Sequence, residues 1–182
     1  MLKILSENQG IISKWSGGIT KQLYIYPENC DFKKRDFKFR ISTATTELEE
    51  SIFTKFDNMN RVISVLKGKM ELNHLDHHHI ILNPYDIDHF SGDWTTNSKG
   101  KVTDFNLIIN NKGIGDFYFK EIANNEIHNL SFKNRISFIY AISGEILIND
   151  SILKTGEIAI FDEEEINFKS EKAKLFYGYV EI

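Results

Sequence analysis

Cysteine is almost absent: Cys30 is the single one in 182 residues. A lone thiol forms no internal disulfide, and Asn29-Cys30-Asp31 has no neighbouring histidine to activate it, so Cys30 reads as a bystander. Proline is nearly as scarce, with two residues, and with 41% hydrophobic and 13% aromatic content this excludes a disordered chain. Excess positive charge is missing too. The 22 Lys and Arg against 26 Asp and Glu leave a formal charge of −4. That balance argues against a nucleic-acid groove, because phosphate contacts supply most non-specific affinity. The basic cluster Lys33-Lys34-Arg35 stands beside Asp31 and Asp36 and reads as a solvated loop. No apolar run reaches the ~18–20 residues that span a bilayer. The N-terminus Met1-Leu2-Lys3-Ile4-Leu5-Ser6-Glu7 lacks the apolar stretch of a signal peptide. The expectation is a cytoplasmic protein with neither membrane nor nucleic acid as partner.

Familiar catalytic signatures are absent as well. There is no G-x-S-x-G elbow and no Cys–His pairing, and Gly17-Gly18 lacks the lysine and following helix of a phosphate-binding loop. The acidic run Asp162-Glu163-Glu164-Glu165 is consecutive, without the alternating ligand spacing of calcium loops, and reads as a solvated turn.

What is present is a β pattern. Short alternating or apolar runs recur between turn residues, placing strands at 11–14, 19–26, 37–44, 62–67, 69–75, 79–83, 87–90, 102–110, 115–122, 136–142, 145–149, 152–154, 157–161, 166–168 and 174–181. The one helical expectation is a short piece around Thr46–Ser51, where Glu47, Glu49 and Glu50 follow a Thr suited to an N-cap. An internal repeat also emerges. Ile63–Leu72 lies over Ile139–Ile148 with Gly68 on Gly144, and Tyr85-Asp86 then falls opposite Gly156-Glu157. A repeated strand, glycine, strand, hairpin and strand is what two jelly rolls leave in sequence. The boundary falls near Asn110-Asn111-Lys112-Gly113, giving modules 1–110 and 111–182, with exchange of terminal strands allowed.

Ordered blocks run through the first half: Trp15-Ser16-Gly17-Gly18-Ile19-Thr20-Lys21-Gln22-Leu23, Phe39-Arg40-Ile41-Ser42-Thr43-Ala44, Phe53 to Arg61, Phe90-Ser91-Gly92-Asp93 and Asp104-Phe105-Asn106-Leu107. This set, spanning residues 15 to 109, resembles the HutD/Ves family of bacterial bicupins. The resemblance implies an all-β bicupin, two jelly-roll (cupin) modules in one chain. It also implies an accessory or regulatory binder of a small carboxylate metabolite of histidine-utilisation type, with urocanate, formimidoylglutamate, glutamate and formate as candidates.

The residues themselves are compatible with that function. A period of two sets Arg40, Ser42 and Ala44 opposite Phe39, Ile41 and Thr43, and sets Asp104 and Asn106 opposite Phe105, Leu107 and Ile109. Guanidinium groups suit carboxylates. The expected ligand-binding set is Trp15, Gly17, Gly18, Thr20, Arg40, Ser42, Arg61, Asp93, Asp104 and Asn106, with Trp94 and Tyr85 as further lid candidates. Internal pairs, Arg40 with Asp104 or Arg61 with Asp93, account for the same residues structurally. No cofactor and no metal are expected. Along a strand only His77 and His79 of His77-His78-His79 share a face, and with His74, Asp76, Asp86 and His89 the spacing misses the usual cupin pattern. Two other classes stay open. One is a cupin enzyme, either metal-dependent through His74, His77, His79 and His89 or metal-free with Asp104 as base. The other is an interaction protein pairing through strand edges as a homodimer.

Overall fold

The structure is a computed structural model and describes residues 2–6, 10–131, 134–162 and 165–182. Strands dominate; the one helical element among the described residues is a 3-10 turn, Phe32–Lys34, capped by the Asp31 carboxylate, which accepts from the Lys33 amide at 2.9 Å. No helix among them is long and apolar enough to cross a membrane. The chain divides into two compact units. One spans Gly10–Lys112, and the other spans Gly113–Ile182 and takes in the N-terminal strand β1 (Leu2–Leu5).

The Gly10–Lys112 unit carries β2 (Ile11–Trp15), β3 (Gly18–Tyr26), β4 (Phe39–Thr46), β5 (Glu50–Ile52), β6 (Met59–Lys67), β7 (Met70–His74), β8 (His79–Leu82), β9 (Ile87–Ser91), β10 (Thr96–Lys99) and β11 (Val102–Asn110). They form a six-stranded sheet, β2-β3-β4-β11-β6-β9, and a four-stranded sheet, β5-β10-β7-β8. Ile63, Val65, Phe90 and Val102 of the first sheet pack with Met70, Leu72 and Leu82 of the second, all buried. Each such side chain contributes about 1.5–3 kcal/mol on burial, which holds the two sheets together.

The other unit carries β12 (Ile114–Ala123), β13 (His128–Leu130), β14 (Ile136–Ser143), β15 (Ile146–Ile148), β16 (Ser151–Leu153), β17 (Ile158–Phe161), β18 (Ile166–Lys169) and β19 (Lys172–Glu181). Its sheets are β1-β17-β14-β19-β12 and β13-β18-β15-β16, around an apolar core that includes Ile139, Ile146, Leu153 and Leu175. The wiring of β4 to β11 recurs strand for strand in β12 to β19. Gly68 and Gly144 both take positive φ, 94° and 82°, where a Cβ would run into the carbonyl oxygen of Lys101 or Lys172. Tyr85 and Gly156 match as well. Each has positive φ and donates its amide across a hairpin, to Val65 O and Ala141 O, both at 2.8 Å. The next residue's carboxylate then braces the turn: Asp86 accepts from the Asn83 amide and Glu157 from the Lys154 amide.

Gly144→Ala is expected to cost about 1–3 kcal/mol, because the residue must hold a left-handed conformation while its Cβ meets backbone that cannot swing aside. A melting temperature lowered by several degrees checks it, and an unchanged one refutes the equivalence of the turns.

The helix expected around Thr46–Ser51 is not there: Thr46 ends β4 and Glu50–Ile52 is β5. β5 pairs with β10, with Ser51 Oγ 2.7 Å from Ser98 Oγ, so cross-strand partners prevail over local helix signals. Strands β1, β10 and β13 were also unanticipated. Of the acidic run, Glu163 and Glu164 lie outside the described residues.

Candidate functional site

Strand alternation builds one polar face inside the Gly10–Lys112 unit. Arg40, Ser42, Ala44 and Thr46 project from β4, and β11 adds Asp104, Asn106 and Ile108 in register, with Ser42 opposite Asn106 and Ala44 opposite Asp104. The opposite face, Phe39, Ile41, Phe105 and Leu107, is fully buried. A β-strand with both faces covered can keep such polar residues only if something satisfies them.

These residues line a cavity of about 500 Å³. Arg61 enters from β6, Trp15 and Thr20 from the β2–β3 hairpin, Ser51 and Ile52 from β5, Phe53 and Phe56 from the segment after it, and Phe32, Lys33 and Arg35 from the 3-10 turn. Lys33 and Arg35, read as a solvated loop, therefore stand at the cavity wall, with the Arg35 guanidinium 4.9 Å from the Phe56 ring centroid.

Two arginines dominate its electrostatics. Arg40 is 5% exposed, donates from Nε to Gln22 Oε1 at 2.9 Å and from Nη1 to Ser42 Oγ at 3.3 Å, and lies 4.1 Å over the Phe32 ring. Arg61 is 7% exposed and sits among Phe53, Phe90 and Phe56, while its Nε has no partner among the described residues. Burial pushes both guanidinium groups down to about 10, and at Arg61 Asp104 opposes that shift while Arg40 adds to it. Asp104 is pushed up to about 7 by burial, against the pull of Arg61. Among the described residues neither arginine forms an ion pair with a carboxylate, so the internal pairs Arg40–Asp104 and Arg61–Asp93 are not made. Asp104 Oδ1 and Asn106 Oδ1 are likewise buried without a partner.

Of the expected set, Trp15, Thr20, Arg40, Ser42, Arg61, Asp104 and Asn106 meet at the cavity. Gly17, Gly18 and Asp93 do not line it. Gly17 lies under the Trp15 ring and Gly18 against the Thr45 carbonyl, each leaving no room for a Cβ, so they shape the hairpin that carries Trp15. Asp93 is a turn brace that accepts from the Asn58 amide at 3.2 Å and from Ser91 Oγ at 3.0 Å. Trp94 stacks on His77 at 3.7 Å between centroids and is no lid. Sequence reasoning missed the cavity's aromatic girdle, Phe32, Phe53 and Phe56. Phe53 and Phe56 stood within a quoted block, and their spacing from Arg61 was the available signal.

The histidine segment departs from the alternation expected of it, because His77 and His78 lie in the turn before β8. His79 pairs with Glu71 at 2.9 Å and His77 faces Trp94, so these two diverge. His74 and His78 instead converge on Asp88, a residue sequence reasoning had not singled out, while Asp76, Asp86 and His89 are not in that cluster.

The HutD family model matches residues 10–177. The chain belongs to the HutD family. PA5104, a conserved Pseudomonas aeruginosa PAO1 protein of unknown function, is a solved structure it resembles, with 19% identity, TM-score 0.84 and full coverage of both chains. HutD from Pseudomonas fluorescens SBW25, determined in a formate condition, shares 17% identity with TM-score 0.81 over 100% of this chain and 98% of that one. YhhW from Escherichia coli shares 12% identity with TM-score 0.75 over 98% and 97%. At such identities the likeness shows the fold, a cupin-like β fold. No curated protein matches the sequence.

Proposed function

We propose that this HutD-family protein is an accessory or regulatory bicupin that captures a small carboxylate metabolite in the cavity of its first module. The modules are residues 1–110 and 111–182, with β1 exchanged into the second; the repeated eight-strand wiring supports this. The observation that carries the ligand reading is the pair Arg40 and Arg61, two buried cations facing one cavity without a carboxylate partner among the described residues. An anion between them relieves their mutual repulsion and regains charge-assisted hydrogen bonds of about 1.5–3 kcal/mol each. Ser42 and Thr20 add hydroxyls, and Trp15 closes one wall. Unpaired Asp104 Oδ1 and Asn106 Oδ1 favour a carboxylate that also bears N–H groups. Formimidoylglutamate, urocanate and glutamate meet that requirement, and formate meets only the anionic half. A second reading, a metal-free isomerase or hydrolase, has one supporting observation: Asp104, at about 7, is poised to act as a base.

A thermal-shift screen of these four acids tests the reading. A ligand at about 100 times its dissociation constant should stabilise the protein by ~2.7 kcal/mol, which is several degrees for a chain of this size. The N–H-bearing acids are expected to exceed formate. A flat response across the panel would instead favour the interaction-protein class, and product in the NMR spectrum of a bound acid, lost with Asp104→Asn, would favour the enzyme.

A further inference from the structure

The His74, His78 and Asp88 cluster lies apart from the cavity lining. His74 closes β7, His78 sits in the turn that follows, and Asp88 projects from β9. The two imidazoles present the same nitrogen to one buried carboxylate: His74 Nε2 is 2.9 Å from Oδ2 and His78 Nε2 is 3.0 Å from Oδ1. One donor atom from each residue lies within 4.8 Å of the others. We propose that these three side chains form a mononuclear site for a borderline divalent transition-metal ion, of the zinc and cobalt kind.

Three features carry the assignment beyond a hydrogen-bonded trio. The donor set is mixed imidazole and carboxylate, which suits zinc and cobalt and disfavours magnesium and calcium, whose shells are all oxygen. His74 is held from behind, with Nδ1 2.8 Å from Thr96 Oγ1, the outer partner that orients a ligating imidazole. The turn is braced too: the His74 amide donates to His78 O at 2.9 Å, the His77 amide donates to His74 O at 3.0 Å, and the His77 ring lies on Trp94. A tetrahedral ion with bonds of ~2.0–2.2 Å spaces its donors about 3.3 Å apart, close to the 2.9 and 3.0 Å that separate each Nε2 from its carboxylate oxygen and within the 4.8 Å span of the cluster, so small side-chain adjustments bring the donors onto one ion. His74 is buried at 1% exposure, whereas the His78 side chain is 37% exposed, which gives the ion a path in and leaves a fourth position for water. Ligation through Nε2 uses the neutral tautomer with the proton on Nδ1, which in His74 is then donated to Thr96 Oγ1. The site is next to the cavity without sharing it. Phe90 stands between them, its ring 4.5 Å from the His74 ring and 4.9 Å from the Arg61 guanidinium.

The test uses full-length protein without a polyhistidine tag, stripped with a chelator and titrated with cobalt(II), followed by competition with zinc(II). One equivalent of cobalt per chain, with the visible absorption of a low-coordinate nitrogen and oxygen site, is the expected result. His78→Ala and Asp88→Asn should each weaken binding at least tenfold; both keep the fold testable, since His78 is half-exposed and asparagine preserves the shape of aspartate. His79→Ala, whose ring pairs with Glu71 away from the cluster, should leave binding unchanged. Absence of stoichiometric uptake overturns the proposal, because the cluster is then a proton-filled network. Uptake that survives His78→Ala and Asp88→Asn but disappears with His79→Ala also overturns it.

Discussion

Arg61→Met is expected to lower the affinity for small carboxylates at least tenfold while leaving the ligand-free protein as stable as before, or more so. Methionine keeps the apolar stem of arginine but removes a buried charge that no hydrogen-bonded carboxylate among the described residues neutralises. The downward displacement of the Arg61 guanidinium to about 10 corresponds to an unfavourable contribution on the order of 3 kcal/mol in the folded state. Cation–π contacts with Phe53 and Phe90 offset part of this, about 0.5–2 kcal/mol each, and methionine against the same rings recovers some of that loss. The net change is therefore between zero and about +2 kcal/mol, read as an unchanged or raised melting temperature. Losing a charge-assisted hydrogen bond to the ligand costs about 1.5–3 kcal/mol, a factor of ten or more in dissociation constant by calorimetry. A residue held for structure behaves oppositely. If Arg61→Met melts well below wild type while binding persists, the arginine is a core element and the cavity is no anion site.

The sequence carried the strands and the repeat because both are local. Period-two alternation along Phe39–Thr46 and Val102–Asn110 separates an apolar face from a polar one without knowledge of any partner, and the structure keeps that separation. Gly68 and Gly144 were legible for a similar reason, since a turn with positive φ selects its residue. What stayed hidden depends on partners distant in sequence. Glu47, Glu49 and Glu50 look like a helix start until Ser98 and Lys99 of β10 arrive beside Ser51 and Glu50. Asp93 looked like a ligand group because motif residues often are, yet its carboxylate is consumed by Asn58 and Ser91 in a turn. The pairing of Lys33 and Arg35 with the cavity depends on how the 3-10 turn folds back over Phe56, which charge patterning cannot reveal. Asp88 escaped notice because its meaning comes from two histidines that a turn, rather than a strand, delivers to it.

Formate affinity is expected to fall as the pH rises from about 6.5 to about 8.5, and Asp104→Asn to remove most of that dependence. Over this window formate stays ionised, and Arg40 and Arg61, at about 10, stay charged. Asp104, at about 7, is the group in the cavity that changes charge. Protonated, it is a neutral neighbour able to donate a hydrogen bond to the incoming carboxylate; ionised, it repels that carboxylate and competes for Arg61. If binding requires the protonated form, log K falls by up to about one unit per pH unit above the Asp104 value. The same group shapes stability in a fixed direction. Its folded value lies above the unfolded value of about 3.8, so its contribution is fully present below that pH and is lost as the pH rises through about 7. That loss is on the order of 4 kcal/mol at most, given the displacement to about 7. Denaturation of the ligand-free protein should therefore show wild type weakening between about pH 5 and pH 8, with a flatter profile for Asp104→Asn. A wild-type formate affinity independent of pH, or one whose slope persists in Asp104→Asn, would place the titrating group elsewhere and remove Asp104 from the anion site.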